Sequence, residues 1–276
     1  MATRGSVQSY LGIRPEGFLD GIRLFTAFCT SALVRVAAPA RRDPVGLHVL
    51  GDQNLGIRIE GLRFEVRPRT NDLDLLSGHH EPLTTEWFRV SPGEVVVDVG
   101  AHIGRYTLRA AQAGAVVIAI EPDPSNFELL QRNVRLNGAT NVELVQAAMT
   151  SNPGVLPFAV APPFNTGTSS VVAGDPNAVG PRTGPIIHVP ADTLDHLVRS
   201  RGVERIDWLK IDVEGHEISV LEGGRAALSL TKRIILEVTE STEMECRRIL
   251  EPVGFEVVAI EEGQPTRNLF LERTHA

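Results

Sequence analysis

Val95-Val-Val-Asp98-Val-Gly100-Ala101-His102-Ile-Gly104-Arg-Tyr-Thr107 is the stretch from which the rest of the chain can be read. A valine run long enough for a buried strand, broken only by Asp98, gives way to a turn with two glycines. Glycines allow a tight turn and close approach of the backbone to a ligand. The helix expected from about Gly104 to Ala113 presents unsatisfied N–H groups at the same place. About twenty residues on, Ile118-Ala-Ile-Glu121-Pro122-Asp123 sets a carboxylate at the end of the next expected strand, where it can accept both hydroxyls of a ribose.

Two ligands compete for such a turn. A nicotinamide dinucleotide lays its pyrophosphate against the helix N-terminus, ordinarily through G-x-G-x-x-G and with no acid at the turn. Here the spacing is Gly100-x-x-x-Gly104, with Asp98 just before it. An anionic side chain there repels a pyrophosphate and suits the ammonium end of an amino acid or a sulfonium cation. Asp98, the glycine pair and Glu121 together go beyond what helix–strand packing alone requires.

Around this tract the chain alternates strand and helix. Strands are expected at Val95–Val99, Val116–Ile120, Val142–Ala147, Trp208–Ile211 and Ile234–Val238, with helices at Ser125–Asn137, Leu194–Ser200, Glu217–Leu221 and Ser241–Leu250. That rhythm predicts a parallel sheet covered by helices on both faces. Phe255–Ile260 and Asn268–Glu272, joined by Gly-Gln-Pro, read as a closing antiparallel pair. Residues 150–190 interrupt the rhythm with prolines, glycines and the apolar runs Val155–Val160 and Ile186–Val189, a strand-bearing insertion that carries Asn165-Thr-Gly-Thr-Ser-Ser170. Before the alternation, residues 1–69 read as an appendage. One amphipathic helix is expected over Pro15–Ala38, with Ile22, Phe25, Phe28, Ala32 and Val36 on one face, ended by Pro39, Arg41, Arg42, Asp43 and Pro44. Short strands follow at Leu47–Leu50, Ile57–Glu60 and Leu62–Val66, with Gly61 marking either a tight reversal or a bend in one continuous strand. Thr70–Arg89 is polar, and its His79-His80-Glu81 reads as part of a lid or as a solvated surface cluster.

Composition narrows the function classes. The 276 residues allow one large or two small domains at roughly 100–200 residues each, and 42% hydrophobic content supports a substantial core. A net charge of −7 argues against broad nucleic-acid binding, which needs a cationic surface. Lys210 and Lys232 are the only lysines. Cys29 and Cys246 have no metal-ligand spacing, so a reducing, cytoplasmic setting is the expectation. The longest apolar tract, Leu24–Val34, is shorter than the ~20 residues a membrane span needs. The apolar face of the helix over 15–38 suits packing on the body or on a second copy, as a homodimer, ahead of a membrane surface.

Asp98–Gly104 resembles the first motif of class I S-adenosylmethionine-dependent methyltransferases. Ile206-Asp207-Trp-Leu-Lys210-Ile-Asp212-Val-Glu214-Gly215-His216-Glu217, with Val220-Leu221-Glu-Gly223, resembles the FkbM family within them, as do Asn165-Thr-Gly-Thr-Ser169, Thr193-Leu-Asp195 and Ile234-Ile-Leu-Glu237. His102 stands where that family often carries Asn. The resemblance covers about residues 70–240 in the family's order and leaves 1–69 outside. It implies an α/β fold: a Rossmann-like class I methyltransferase sheet, mostly parallel with an antiparallel C-terminal strand, plus the N-terminal helical and β appendage. The methyltransferase domain would then run over 70–276.

The resemblance also implies an O-methyltransferase that uses S-adenosylmethionine, releases S-adenosylhomocysteine and methylates a hydroxyl of an oligosaccharide or polyketide. A sugar hydroxyl is preferred, because acids near the site suit a neutral polyol. Asp98, Gly100, Ala101, His102 and Gly104 would hold the methionyl end, Glu121 and Pro122 the ribose, and Ala147 and Ala148 the adenine, with Asp212 beside the methyl group. His216 is the preferred general base, since neutral imidazole is available near pH 7. Asp212 would orient the acceptor or act as base, with Glu214 beside it, and Glu237 would hold a second hydroxyl. Asp212, Glu214 and Glu237 could instead hold Mg²⁺ or another divalent ion; a site without metal is preferred. Lys210 is expected to pair with a neighbouring carboxylate, Glu217 to open a helix, and Asn165–Ser170 to form the acceptor wall. A nicotinamide-dependent oxidoreductase and a catalytically silent nucleoside-binding domain are the alternatives.

Overall fold

The computed structural model describes residues 10, 12–38, 43–78, 80–172, 184–263 and 265–274. The appendage contains β1 (Arg14–Pro15), α1 (Phe18–Ala37), a 3₁₀ turn at Val45–His48, β2 (Leu55–Ile59) and β3 (Leu62–Val66). Two short helices, α2 (Asp72–Leu75) and α3 (Pro82–Trp87), lead into the alternating part. There β4 (Val95–Val99), α4 (Arg105–Gln112), β5 (Val116–Ile120), α5 (Pro124–Leu136) and β6 (Val142–Val145) follow one another. The insertion supplies β7 (Ala148–Met149), β8 (Gly154–Ala159), β9 (Ser170–Val171) and β10 (Ile186–Asp192). The alternation resumes with α6 (Leu194–Ser200), β11 (Ile206–Ile211), α7 (Glu217–Glu222), α8 (Arg225–Leu230), β12 (Thr231–Thr239) and α9 (Glu240–Leu250). It closes with β13 (Phe255–Glu261) and β14 (Thr266–Arg273).

The main sheet has seven strands in the order β13-β14-β12-β11-β4-β5-β6. The run from β6 to β12 is parallel, and β14 lies antiparallel between β12 and β13, as the C-terminal apolar pair predicts. Strand order reverses between β4 and β11. Connections leaving these two strands go to opposite faces and part at their carboxyl ends, which is where an open α/β sheet carries its crevice.

Period-2 alternation decides which side chain meets which layer. Val97, Val99, Ile118, Ile120, Leu209 and Ile211 face a core built with α6 to α9. Val96, Val117, Ala119 and Trp208 face the other core, which they share with Leu55, Ile57, Phe64 and Val66 of the appendage. Residues before Thr70 therefore complete one face of the main sheet. The outer edge of β3 is satisfied by α5: Asn133 Oδ1 accepts from Glu65 N at 2.8 Å, and the Asn137 amide bonds both N and O of Arg63. Two helix side chains thus stand in for a missing strand, because unpaired backbone groups at such an edge are costly when covered.

Several expectations are corrected. Pro15 pairs with Ile57 as β1, so the first helix begins only at Phe18. It packs on the body through Leu24, Ala27 and Ser31, and Ile22, Phe25 and Val36 of the expected apolar face are exposed, so of the two expected partners for that face the body is not the one these three residues meet. Its expected terminators Pro39, Arg41 and Arg42 lie outside the described residues, as do residues 173–183 of the insertion and Gln264 of the C-terminal turn. Of the Leu47–Leu50 tract, Leu47 and His48 belong to the 3₁₀ turn and no strand forms there. Gly61 makes a reversal: Glu60 and Gly61 have φ of 51° and 84°, and β2 and β3 pair antiparallel across them. The strand expected to reach Ala147 leaves the main sheet after Val145, because Ala148 and Met149 pair instead with β10 in a second sheet ordered β7-β10-β8-β9. In the polar stretch after Thr70, the side chains of Thr70, Asn71, Asp72 and Ser77 are buried.

Asp72 explains that burial. Its carboxylate receives a bidentate pair of bonds from Arg67 Nε and Nη2, both at 2.8 Å, and another from Arg67 N at 3.0 Å. Burial pushes the Asp72 pKa up, but the hydrogen bonds and charge of Arg67, with His102, outweigh it and hold the carboxyl below its usual range. A depressed carboxyl pKa stabilises the fold above the unfolded value, about 3.9, and that contribution is lost as pH falls through the folded value. Removing Arg67 strands a buried charge, a defect of about 3–5 kcal/mol. Arg67→Ala is therefore expected to unfold at lower denaturant and at a higher pH in acid titrations followed by circular dichroism. A variant with the wild-type acid midpoint would show that the pair does not hold this segment.

Candidate functional site

The crevice at the carboxyl ends of β4 and β11 is a cleft of about 940 Å³. Asp98 lines it from the end of β4 and is buried. Its Oδ2 accepts from Thr107 Oγ1 at 2.6 Å, while Oδ1 has no hydrogen-bond partner among the described residues. Burial raises the Asp98 pKa against the pull of Lys210. A buried carboxylate oxygen left without a donor is costly. It marks a place for a cationic or N–H ligand group.

The turn after Asp98 is held from two sides. Asp212 N donates to Val99 O at 3.0 Å, which brings the loop after β11 against the loop after β4. Gly100 has φ of 88°, and a β-carbon there would stand 1.8 Å from the Asp212 carbonyl oxygen. His102 also has positive φ, 51°, uncommon for a residue with a side chain. Its backbone N–H donates to Glu121 Oε2 at 2.8 Å, and its Nε2 lies 3.0 Å from Thr166 Oγ1. Burial lowers the His102 pKa to about 4, so the ring is neutral near pH 7 and its Nε2–H tautomer can donate to Thr166. Gly100, Ala101 and His102 line the cleft; Gly104 caps α4 behind them and does not.

Glu121 enters from the end of β5. Its oxygens accept from His102 N and from Asp123 N at 2.9 Å, and burial pushes its pKa up to about 8. Pro122 lines the cleft beside it, and the buried Ala147, Ala148, Met149 and Phe158 form an apolar wall fit for a flat heterocycle. The Asn165–Ser170 tract is tied down more firmly than an acceptor wall requires. Thr166 Oγ1 lies 2.8 Å from Asp72 Oδ1 and 2.9 Å from Asn71 Oδ1, and Ser169 Oγ donates to Asp123 at 2.9 Å. Asn165, Gly167, Thr168 and Ser169 still face the cleft.

At the other end stand Asp212, Glu214 and Glu237, each offering a carboxylate oxygen within 4.8 Å of the others. Lys210 Nζ donates to Asp212 Oδ2 at 2.7 Å and lies 5.0 Å from the Tyr106 ring centroid. Burial works against the Lys210 charge, but Asp212, Glu81 and Asp98 outweigh it and hold the pKa above the ordinary lysine value. Glu214 is pushed well above its usual range by burial, then by Asp212 and Glu217; Glu237 by burial, then by Asp212 and Glu214. His216 lines the same cleft with its Nε2 3.2 Å from Thr150 Oγ1, outside the carboxylate trio. Glu217 opens α7 and accepts from Gly215 N at 2.8 Å.

Glu81 corrects the solvated-cluster reading. Its oxygens accept from Tyr106 OH at 2.8 Å and from Asn268 Nδ2 at 2.9 Å. Burial would raise its pKa, but His80, Lys210 and Arg105 together lower it to about 2. His80 and Glu81 line the cleft, while His79 lies outside the described residues. Asn268 escapes sequence reasoning altogether, since only the register that sets it opposite Glu237 brings it to the site. Lys210 carried a signal: it is one of two lysines and interrupts an apolar strand.

Residues 98–268 match the family described as the methyltransferase FkbM domain. The chain is 29% identical over 191 residues to methyltransferase sdnD of Sordaria araneosa, covering 59% of this chain and 73% of that protein. It is 31% identical over 196 residues to 31-O-demethyl-FK506 methyltransferase FkbM of Streptomyces tacrolimicus, covering 61% and 75%. It is 30% identical over 145 residues to hexuronic acid methyltransferase AglP of Haloferax volcanii, covering 52% and 56%.

The close approach at Gly100 is open to direct trial. Gly100→Ala adds a β-carbon where none fits and a side chain where φ is positive, so a loss of about 2–4 kcal/mol is expected in denaturant unfolding. An unchanged midpoint would mean that the loops after β4 and β11 are not pressed together.

Proposed function

Because the chain belongs to the methyltransferase FkbM domain family and is an S-adenosylmethionine-dependent methyltransferase, we propose that it methylates a hydroxyl oxygen of a saccharide or polyketide-type small molecule, with a sugar hydroxyl preferred. The observation that carries this reading is the buried Asp98 oxygen, unpartnered among the described residues, sharing one cleft with Glu121. Both sit at the ends of parallel strands beside the reversal of strand order. In this reading 70–276 is the transferase domain and 1–69 its appendage. The family match sets aside the nicotinamide-dependent alternative.

The residues fit the donor. Asp98 would take its cationic methionyl end, with Gly100, Ala101 and His102 bringing the backbone close and Gly104 starting the helix behind them. Glu121, beside Pro122, would accept from the ribose hydroxyls, and Ala147 and Ala148 would pack on the adenine. When bound, S-adenosylmethionine supplies an electrophilic methyl group: its S–C bond breaks as the acceptor's O–C bond forms, and the electron pair stays on sulfur.

The chain's part at the acceptor is to orient it, exclude water and remove one proton. His216, oriented by Thr150, takes the proton from the hydroxyl as the O–C bond forms. Asp212, anchored by Lys210, positions that hydroxyl, and Glu214 and Glu237 receive hydrogen bonds from its neighbours. A wall of acids bonds several hydroxyls at once, which favours a polyol. The names of two relatives, one a hexuronic acid methyltransferase and one acting on an FK506 derivative, support both acceptor classes.

Two measurements test the reading. Charge-assisted hydrogen bonds contribute about 1.5–3 kcal/mol, so Asp98→Asn and Glu121→Gln are each expected to weaken S-adenosylmethionine binding about 10-fold to 100-fold by calorimetry. Both carboxyls are raised by burial, Glu121 to about 8, and a cationic donor prefers their ionised forms. Affinity should therefore climb with pH through about 8, and binding at neutral pH should release protons to the buffer. Unchanged affinity in both variants, or a flat pH profile, contradicts the donor site. His216→Ala should keep donor affinity and lose about 10²–10⁴ in turnover; full activity would remove His216 from the base role.

A further inference from the structure

We propose that Asp212, Glu214, Glu237 and Asn268 form a site for one divalent cation with a preference for oxygen ligands, such as Mg²⁺ or Mn²⁺, at the acceptor end of the cleft. From sequence alone a site without metal is preferred. Asn268 changes the balance.

Each carboxylate offers one oxygen, and the three oxygens lie within 4.8 Å of one another. Metal–oxygen bonds of about 2.1 Å set octahedral neighbours about 3 Å apart and opposite ligands about 4 Å apart, so small side-chain rotations close the set. The other contacts at the site leave ligand atoms over. Lys210 engages Asp212 Oδ2, and Thr266 Oγ1 donates to Glu237 Oε1 at 2.7 Å. Glu237 Oε2 is buried with no hydrogen-bond partner among the described residues.

Asn268 supplies the independent observation. It is only 5% exposed, it lines the cleft, and its Nδ2 is committed to Glu81 Oε1. Its Oδ1 is buried with no partner among the described residues. Residues opposite each other in an antiparallel pair project to the same face, and Asn268 is opposite Glu237. Asn268 therefore shares with Glu237 the face that lines the cleft. Of the three acids Lys210 Nζ bonds only Asp212, and the Asn268 oxygen and Glu237 Oε2 are both left as acceptors among the described residues, which a cation would satisfy together. The set has no sulfur or imidazole, which selects a hard ion over zinc or copper.

Near the methyl acceptor such an ion would polarise the hydroxyl before His216 takes its proton. That role rests on the methyl-transfer reading above; cation binding does not.

The full chain, stripped with chelator, is titrated with Mn²⁺ and the free ion followed by electron paramagnetic resonance, while donor binding is measured separately by calorimetry. One Mn²⁺ per chain is expected, with affinity at least tenfold weaker in Glu237→Gln and in Asn268→Ala. Mn²⁺ should also raise the melting temperature of the wild-type chain. No loss of free-ion signal with the wild-type chain overturns the site, and that arm needs no variant to fold. Equal uptake by wild type and both variants also overturns it, since the ions would then sit elsewhere. Should the donor bind while Mn²⁺ does not, the cation site falls and the methyltransferase reading stands. Mn²⁺ uptake without donor binding has the opposite meaning.

Discussion

At Gly100 the loop after β4 runs so close to the Asp212 carbonyl that there is no room for a side chain between them. That approach joins the two strands on either side of the reversal in strand order, and it brings opposite ends of the chemistry together. Asp98 and His102 lie on one loop, Asp212 and Glu214 on the other. Without it the cleft would be an ordinary gap between diverging helices. With it, Asp98, which keeps one oxygen without a partner among the described residues, lines the same cleft as Asp212, Glu214 and Glu237.

The second support is polar and buried. Arg67, Asp72, Thr166 and His102 form one chain of contacts from the appendage, through the insertion, to the glycine turn. Such networks are costly when incomplete and specific when satisfied. His102 has a backbone conformation that its residue type disfavours, and the Glu121 carboxylate and the Thr166 hydroxyl hold it there. The appendage is thus coupled to the site through hydrogen bonds as well as through the shared apolar core. Residues outside the family match, Arg67 and Asp72 among them, stabilise the turn that carries Gly100 and His102.

Much of the central sheet was legible because its strands are short valine- and isoleucine-rich runs separated by helices with regular spacing. Asp98 and Glu121 could be placed because each ends such a run. What the sequence hid has a common cause. Glu81 and Asn268 meet at the site only through contacts between distant segments, and nothing local distinguishes Glu81 from a solvated acid. The burial of Asn71 and Asp72 depends on Arg67 and on Thr166, about a hundred residues away, so the polarity of this stretch does not reveal that its first residues are interior. The spacing of α1 announces a helix but not which side meets the body.

A crystal structure of the chain with S-adenosylhomocysteine tests the central claim most directly. The account predicts the ligand's ammonium within hydrogen-bond distance of Asp98 Oδ1, its ribose hydroxyls on Glu121, and its sulfur directed toward the loop that begins at Asp212. A ligand lodged away from Asp98, or with its sulfur turned toward Ala147 and Ala148, would contradict it.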